Sequence, residues 1–87
     1  MNMLEKTAIV KFYEFEDCSH GKITVKNGVL YRLGTPIAVH MGQFIYLNVS
    51  KYSKVVSEVQ DRILNFKSIY AIKEVCKDEI VTYIPKS

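Results

Sequence analysis

Cysteine and histidine are scarce in this sequence, at two each among 87 residues. Cys18 and Cys76 stand far apart, with no C-x-x-C and no matched Cys/His pair, so no zinc-site spacing is present. Cys18-Ser19-His20 offers two ligands at most, and both thiols are expected to be reduced. A Cys18/His20 nucleophile and base would lack the third group that holds a base in place. His20 and His40 each lie beside a predicted turn, and His40 is expected at an exposed hairpin end. Glycine is confined to positions 21, 28, 34 and 42. Each of these reads as a turn, which leaves no glycine-rich phosphate-binding string. Long apolar runs are missing as well. Stretches such as Ala8-Ile9-Val10 fall far below the roughly 20 residues of a membrane-spanning helix. An early Glu5 and the lack of a long apolar core argue against a signal peptide. The expectation is a cytoplasmic protein with no membrane partner, no cofactor, no metal and no catalytic site.

Charge of one sign is not strongly in excess. Twelve basic and nine acidic residues leave a net charge of +3, whereas dedicated nucleic-acid binders carry a denser basic patch. Glu14, Glu16 and Asp17 cluster. On a strand, Glu14 and Glu16 would share a face. Divalent-cation sites of that kind also draw on substrate phosphates and further acids, so the cluster reads as a solvated strand end. What the chain does have is 48% apolar residues in periodic patterns, enough for one folded domain over 1–87. A chain of this length buries only roughly 60–65% of its unfolded surface. With open sheet edges, that small core points to a homodimer.

Taken in order, residues 7–16 mix β-branched and aromatic side chains and read as a strand. Asp17 to Gly21 reads as a turn. Lys22 to Lys26, Asn27-Gly28, then Val29 to Leu33 spell a two-residue hairpin of type I′, because Asn and Gly both accept positive φ. Ile23 and Val25 fall on one face, with Lys22, Thr24 and Lys26 on the other. Gly34-Thr35-Pro36 breaks the run, and Pro36 suits a strand start or edge. A second hairpin is expected over residues 36–48, turning at Met41-Gly42. Tyr52, Val55, Val56, Val59, Ile63 and Phe66 recur at helical spacing. The helix starts either after Ser53 or at the Ser57–Gln60 capping box. The earlier start is preferred, because Val55 and Val56 already fit the stripe. Residues 69–76 and 80–84 close the chain as two strands around a polar turn at Lys77-Asp78-Glu79. The expected fold is α+β: an antiparallel bent sheet of six to seven strands, ordered βββββαββ, packed on one helix.

Thr35-Pro36-Ile37-Ala38, Leu47-Asn48, Lys51-Tyr52-Ser53, Ser57 and Gln60 together resemble a family of small uncharacterised domains. That family occurs in phages, archaeal viruses and other mobile elements. Its pattern runs T-x-I-A, a glycine-containing turn, a strand ending near Asn, then K-Y-S-x-T-T-S-x-H-Q at a helix start. Here Val55 and Val56 stand in place of the Thr pair, and Val59 in place of the His. The resemblance implies no activity. It implies a viral or mobile-element setting, with the host cell interior as the place of action.

Two surface hypotheses follow. Amides at a helix N-terminus bind anions, and the polar link before the helix would add Asn48, Ser50, Lys51, Ser53 and Lys54, with Arg62 further along. The same residues could simply cap the helix and satisfy the turn. Six tyrosines are many for this length. Tyr31, Tyr46 and Tyr70 are candidates for a protein interface. Core-edge packing and base stacking beside lysines remain open alternatives. The reading is a non-enzymatic protein-interaction module, modulating a host or defence complex. The alternative is a small nucleic-acid-binding protein with a Lys/Tyr surface.

Overall fold

The structure, a computed structural model, describes residues 2–85. Their order is α1 (Met3–Tyr13), β1 (Cys18–His20), β2 (Ile23–Lys26), β3 (Val29–Arg32), β4 (Thr35–Met41), β5 (Phe44–Asn48), α2 (Lys54–Leu64), β6 (Ala71–Val75), α3 (Lys77–Ile80) and a 3₁₀ turn (Val81–Tyr83). The six strands form one sheet in chain order. The first four pairings are antiparallel. β5 and β6 run parallel, because α2 carries the chain back across the sheet between them. The α+β class holds. The all-antiparallel sheet, the βββββαββ order and the single helix are corrected.

The largest correction is at the start, where residues expected as a strand form α1. Asn2 caps it, its Oδ1 accepting from the Glu5 amide at 2.9 Å. Glu5, Ala8, Ile9, Phe12 and Tyr13 are buried, a spacing of three and four. Met3, Leu4 and Val10 face out, so no polar face marks the helix in the sequence. Packing against the sheet overrides the β-propensity of its valine and aromatics. At the other end, residues 80–84 form no strand. Lys77 to Ile80 make α3, with Asp78 and Glu79 at its positive end. Residues 18–20, expected in a turn, pair with β2 instead.

The first hairpin forms as expected, with Asn27 at φ +52° and Gly28 at φ +78°. Gly34 does not simply end that run. Leu33 and Gly34 both take positive φ and turn a further hairpin into β4. The β4–β5 turn is displaced by one residue. Met41 pairs with Phe44, and Gly42 takes the positive φ at +62°, so Met41 stays in the strand. Between β3 and β4, Leu30 opposes Ala38 and Tyr31 opposes Pro36, which leaves Ile37 as an extra residue. This bulge turns both Ile37 and Ala38 into the core at 0% exposure. It also accommodates Pro36 inside a central strand, where a missing N–H is otherwise excluded.

The sheet is covered on both faces. α1 and α2 pack on one, where Ile9, Phe12, Val59 and Ile63 meet Ile23, Leu30, Ile45 and Leu47. Tyr13 joins the two helices, its hydroxyl donating to the Ile63 carbonyl at 2.6 Å while its ring stacks on Phe66 at 4.1 Å. On the other face Ile80 packs with Val29, Val39 and Val75, and Tyr31, Tyr46 and Tyr83 border that cluster. Ser53 caps α2, its Oγ accepting from Val56 N, as the earlier start requires. Of the expected α2 stripe, Val56, Val59 and Ile63 are buried, whereas Tyr52 and Val55 are exposed.

Candidate functional site

The link before α2 is held by a dense hydrogen-bond network. Asn48 is fully buried, and its Nδ2 donates to the Pro36 carbonyl and to the Tyr52 hydroxyl, each at 3.0 Å. Its Oδ1 accepts from Ser50 N at 3.0 Å. From α2, Gln60 Nε2 donates to the Asn48 carbonyl at 2.7 Å and the Ser50 carbonyl at 3.0 Å. Ser50 Oγ accepts from the Lys77 amide at 2.8 Å, which fastens the start of α3. One network thus ties β4, β5, α2 and α3 together. Its members, Pro36, Asn48, Tyr52 and Gln60, belong to the string that carries the family resemblance, and Ser53 of that string caps α2. The physical content of that string here is a fold latch.

Of the six candidate anion-binding residues, Asn48 is spent on this network and Ser50 is half-buried in it. Lys51, Ser53, Lys54 and Arg62 are exposed. Lys54 and Arg62 stand on the helical face of the sheet, and Arg62 lines a shallow groove with Glu58, Asp61 and Asn65. A second groove of about 170 Å³ runs beside α2, between Leu47, Val49 and Leu64, with Lys51 and Asp61 on its rim. Basic and acidic groups are interspersed on this side, and no purely basic surface forms from the named residues.

The interface candidates are divided between faces. Tyr70 lies on the helical side, edge-on to His40 at 4.2 Å. Tyr31 and Tyr46 lie on the opposite side. There the 3₁₀ turn lays Tyr83 flat on Tyr46, with ring centroids 3.8 Å apart and planes 8° from parallel. Desolvation and the hydrogen bond to Glu79 push the Tyr83 hydroxyl above its ordinary pKa. On this face beyond Tyr83, the side chains of Met41, Phe44 and Lys73 are exposed. The β4–β5 turn sets Met41 beside Phe44, and these are 41% and 39% exposed. The parallel register brings Ala71 against Phe44 and Lys73 against Tyr46. Lys73 Nζ sits 4.6 Å above the Phe44 ring, an ammonium held on an aromatic face. Met41, Phe44, Tyr46 and Lys73 therefore form one amphipathic surface across β4, β5 and β6. Tyr46 was a sequence candidate, and the other three were missed. Strand alternation placed Phe44 and Tyr46 on one face, but nothing in the sequence said which face α3 and the 3₁₀ turn would pack on.

His40 is corrected from a surface residue to a buried one, at 6% exposure. It is surrounded by the rings of Phe12, Phe15 and Tyr70, and its Nδ1 lies 3.4 Å from the Phe12 carbonyl. His20 lies in β1, and the grooves described above include neither histidine. Cys18 and Cys76 are both free thiols, and burial pushes the Cys18 thiol up. At the acidic cluster, Glu16 accepts from Lys11 Nζ at 3.0 Å, which holds its carboxyl below the usual range. Among the described residues no helix is long and apolar enough to cross a membrane. No family model, curated protein or solved structure matches the chain.

Proposed function

We propose that this chain is a non-enzymatic protein-interaction module that docks its partner on the open part of the sheet, over Met41, Phe44, Tyr46 and Lys73. The observation that carries the reading is an exposed aliphatic and aromatic surface on neighbouring strands, beside the α3 and 3₁₀ segments that among the described residues pack over Val29, Val39 and Val75. Such surfaces mark interaction sites when they are contiguous and rimmed by polar groups. Phe44 and Met41 supply the apolar anchors. Lys73 suits a partner that sets a carboxylate beside its own apolar side chains. The viral or mobile-element setting, a host or defence complex as the target, and action in the host cytoplasm rest on the string from Thr35 to Gln60. The burial of His40 among aromatic rings supports a role without catalysis, because a general base must reach a substrate proton.

The nucleic-acid alternative asks basic residues and tyrosines to share a face. Lys54 and Arg62 project from α2, across the sheet from Tyr31 and Tyr46. On the face of Tyr31 and Tyr46 themselves, Lys26 lines a groove with Tyr31 and Lys73 lies beside Tyr46. The protein partner is preferred because Lys73 is held on the Phe44 ring, and Met41 and Phe44 add apolar anchors that phosphate contacts do not need. Affinity capture from the natural host, with and without nuclease, tests the choice. The expected result is a partner retained after nuclease and no gel shift with DNA or RNA at low salt. A partner lost with nuclease, together with a salt-sensitive shift, would overturn the reading.

A further inference from the structure

β6 ends the sheet, and its outer edge has the properties of a self-pairing strand. The Ala71 amide donates to the Gln43 carbonyl at 3.2 Å, and the Val75 carbonyl accepts from Val49 N at 2.9 Å. Residues 71, 73 and 75 therefore turn their backbone groups toward β5, and Ile72 and Glu74 turn theirs outward. The strand has no proline, no glycine and no bulge to blunt it. Ile69, just ahead of it, is 94% exposed, and Ala71, Lys73 and Glu74 are exposed as well. The opposite edge, β1, is only three residues long.

A second copy fits this edge, and the charges select its register. Two copies related by a two-fold axis across the edge pair antiparallel, each residue opposing its symmetric counterpart. An axis at Lys73 sets two ammonium groups directly opposite each other, and an axis at Glu74 does the same with two carboxylates. Like charges in that position destabilise a pair. An axis at Ile72 avoids both, and it keeps residues 71–73 of the two strands opposed, where an axis at Ala71 would oppose only Ala71 within the strands. Ile72 then meets Ile72, Tyr70 meets Glu74, Ala71 meets Lys73, and Ile69 meets Val75. The outward groups of Ile72 bond to their own counterparts, and the Glu74 amide bonds to the Tyr70 carbonyl, while the Tyr70 amide is held by Ser68 Oγ at 3.2 Å. We propose that this chain self-associates by antiparallel pairing of β6 with β6 of a second copy, on a two-fold axis at Ile72. A single sheet then runs through both chains. The pairing is independent of what the open sheet face binds.

The test is sedimentation of the full chain from micromolar to millimolar concentration, beside a Glu74→Pro variant. Residue 74 points its amide away from β5, so the proline removes an edge donor and leaves the internal ladder intact. The expected result is a concentration-dependent dimer for the natural chain and a monomer, with unchanged circular dichroism, for the variant. A monomer throughout, or a dimer that survives Glu74→Pro, would overturn the proposal. The register is read by disulfide trapping in a Cys18→Ser, Cys76→Ser background. Opposed hydrogen-bonded residues stand about 5.5 Å apart at Cα, within disulfide reach. Ile72→Cys should cross-link under mild oxidation and Lys73→Cys should not. Preferential cross-linking at 73 would contradict the Ile72 axis.

Discussion

Asn48 and Tyr13 show how single side chains hold elements distant in sequence. Asn48 uses both amide hydrogens and its oxygen in a site with no exposure. Replacing it with Ala leaves the Pro36 carbonyl and the Ser50 amide without their partner. Asn48→Ala is expected to cost about 2–3 kcal/mol, read as a lower urea midpoint with an unchanged slope. Tyr13 makes a pH-dependent contribution. Burial pushes its hydroxyl up to about 12, while in the unfolded chain it ionises near 10. Below pH 10 the phenol is neutral in both states and its stabilisation is complete. Between pH 10 and 12 the unfolded chain loses the proton first, so stability falls by on the order of 2 kcal/mol. Tyr13→Phe should be less stable at neutral pH, because it loses the bond to the Ile63 carbonyl. It should also show a shallower decline from pH 10 to 12 in parallel denaturation series. An equally steep decline in the variant would remove Tyr13 as the cause.

Among the elements, the turns were the most legible and the ends the least. Asn27-Gly28 named its own hairpin, because the required positive φ restricts the residues that fit. Gly28 also faces a close approach: a Cβ there would lie 2.7 Å from the Phe15 ring and 3.0 Å from the His40 carbonyl. Gly42 has comparable φ and open space around it. Gly28→Ala should therefore destabilise by about 1 kcal/mol or more beyond Gly42→Ala, measured by thermal melting of the two variants side by side. Equal losses would mean that Phe15 moves aside freely. α2 was legible because Ser53, Val56, Val59 and Ile63 combine a cap with a stripe. α1 was not, because exposed Met3, Leu4 and Val10 break up its polar face and its valine and aromatics suit a strand. The spacing of Ala8, Ile9, Phe12 and Tyr13 was the signal that could have found it. The turn of α3 and the 3₁₀ segment are short, and their apolar residues read equally as a strand.

At the scale of the whole molecule, the family-like string and the open surface separate cleanly. The string builds the latch around Asn48 and Gln60, whereas the amphipathic surface depends on how far α3 and the 3₁₀ turn reach across the sheet. That reach is a tertiary outcome, which is why Met41, Phe44 and Lys73 could not be picked out in advance. This surface is proposed to dock a protein. That docking is tested most directly by capture from nuclease-treated host extract with two surface variants. Met41→Ser with Phe44→Ser removes the apolar anchors. Lys51→Gln with Lys54→Gln and Arg62→Gln neutralises the helical side. The first variant is expected to lose the partner held by the natural chain and the second to keep it, both with natural circular dichroism. Retention by the first and loss by the second would contradict the proposed docking.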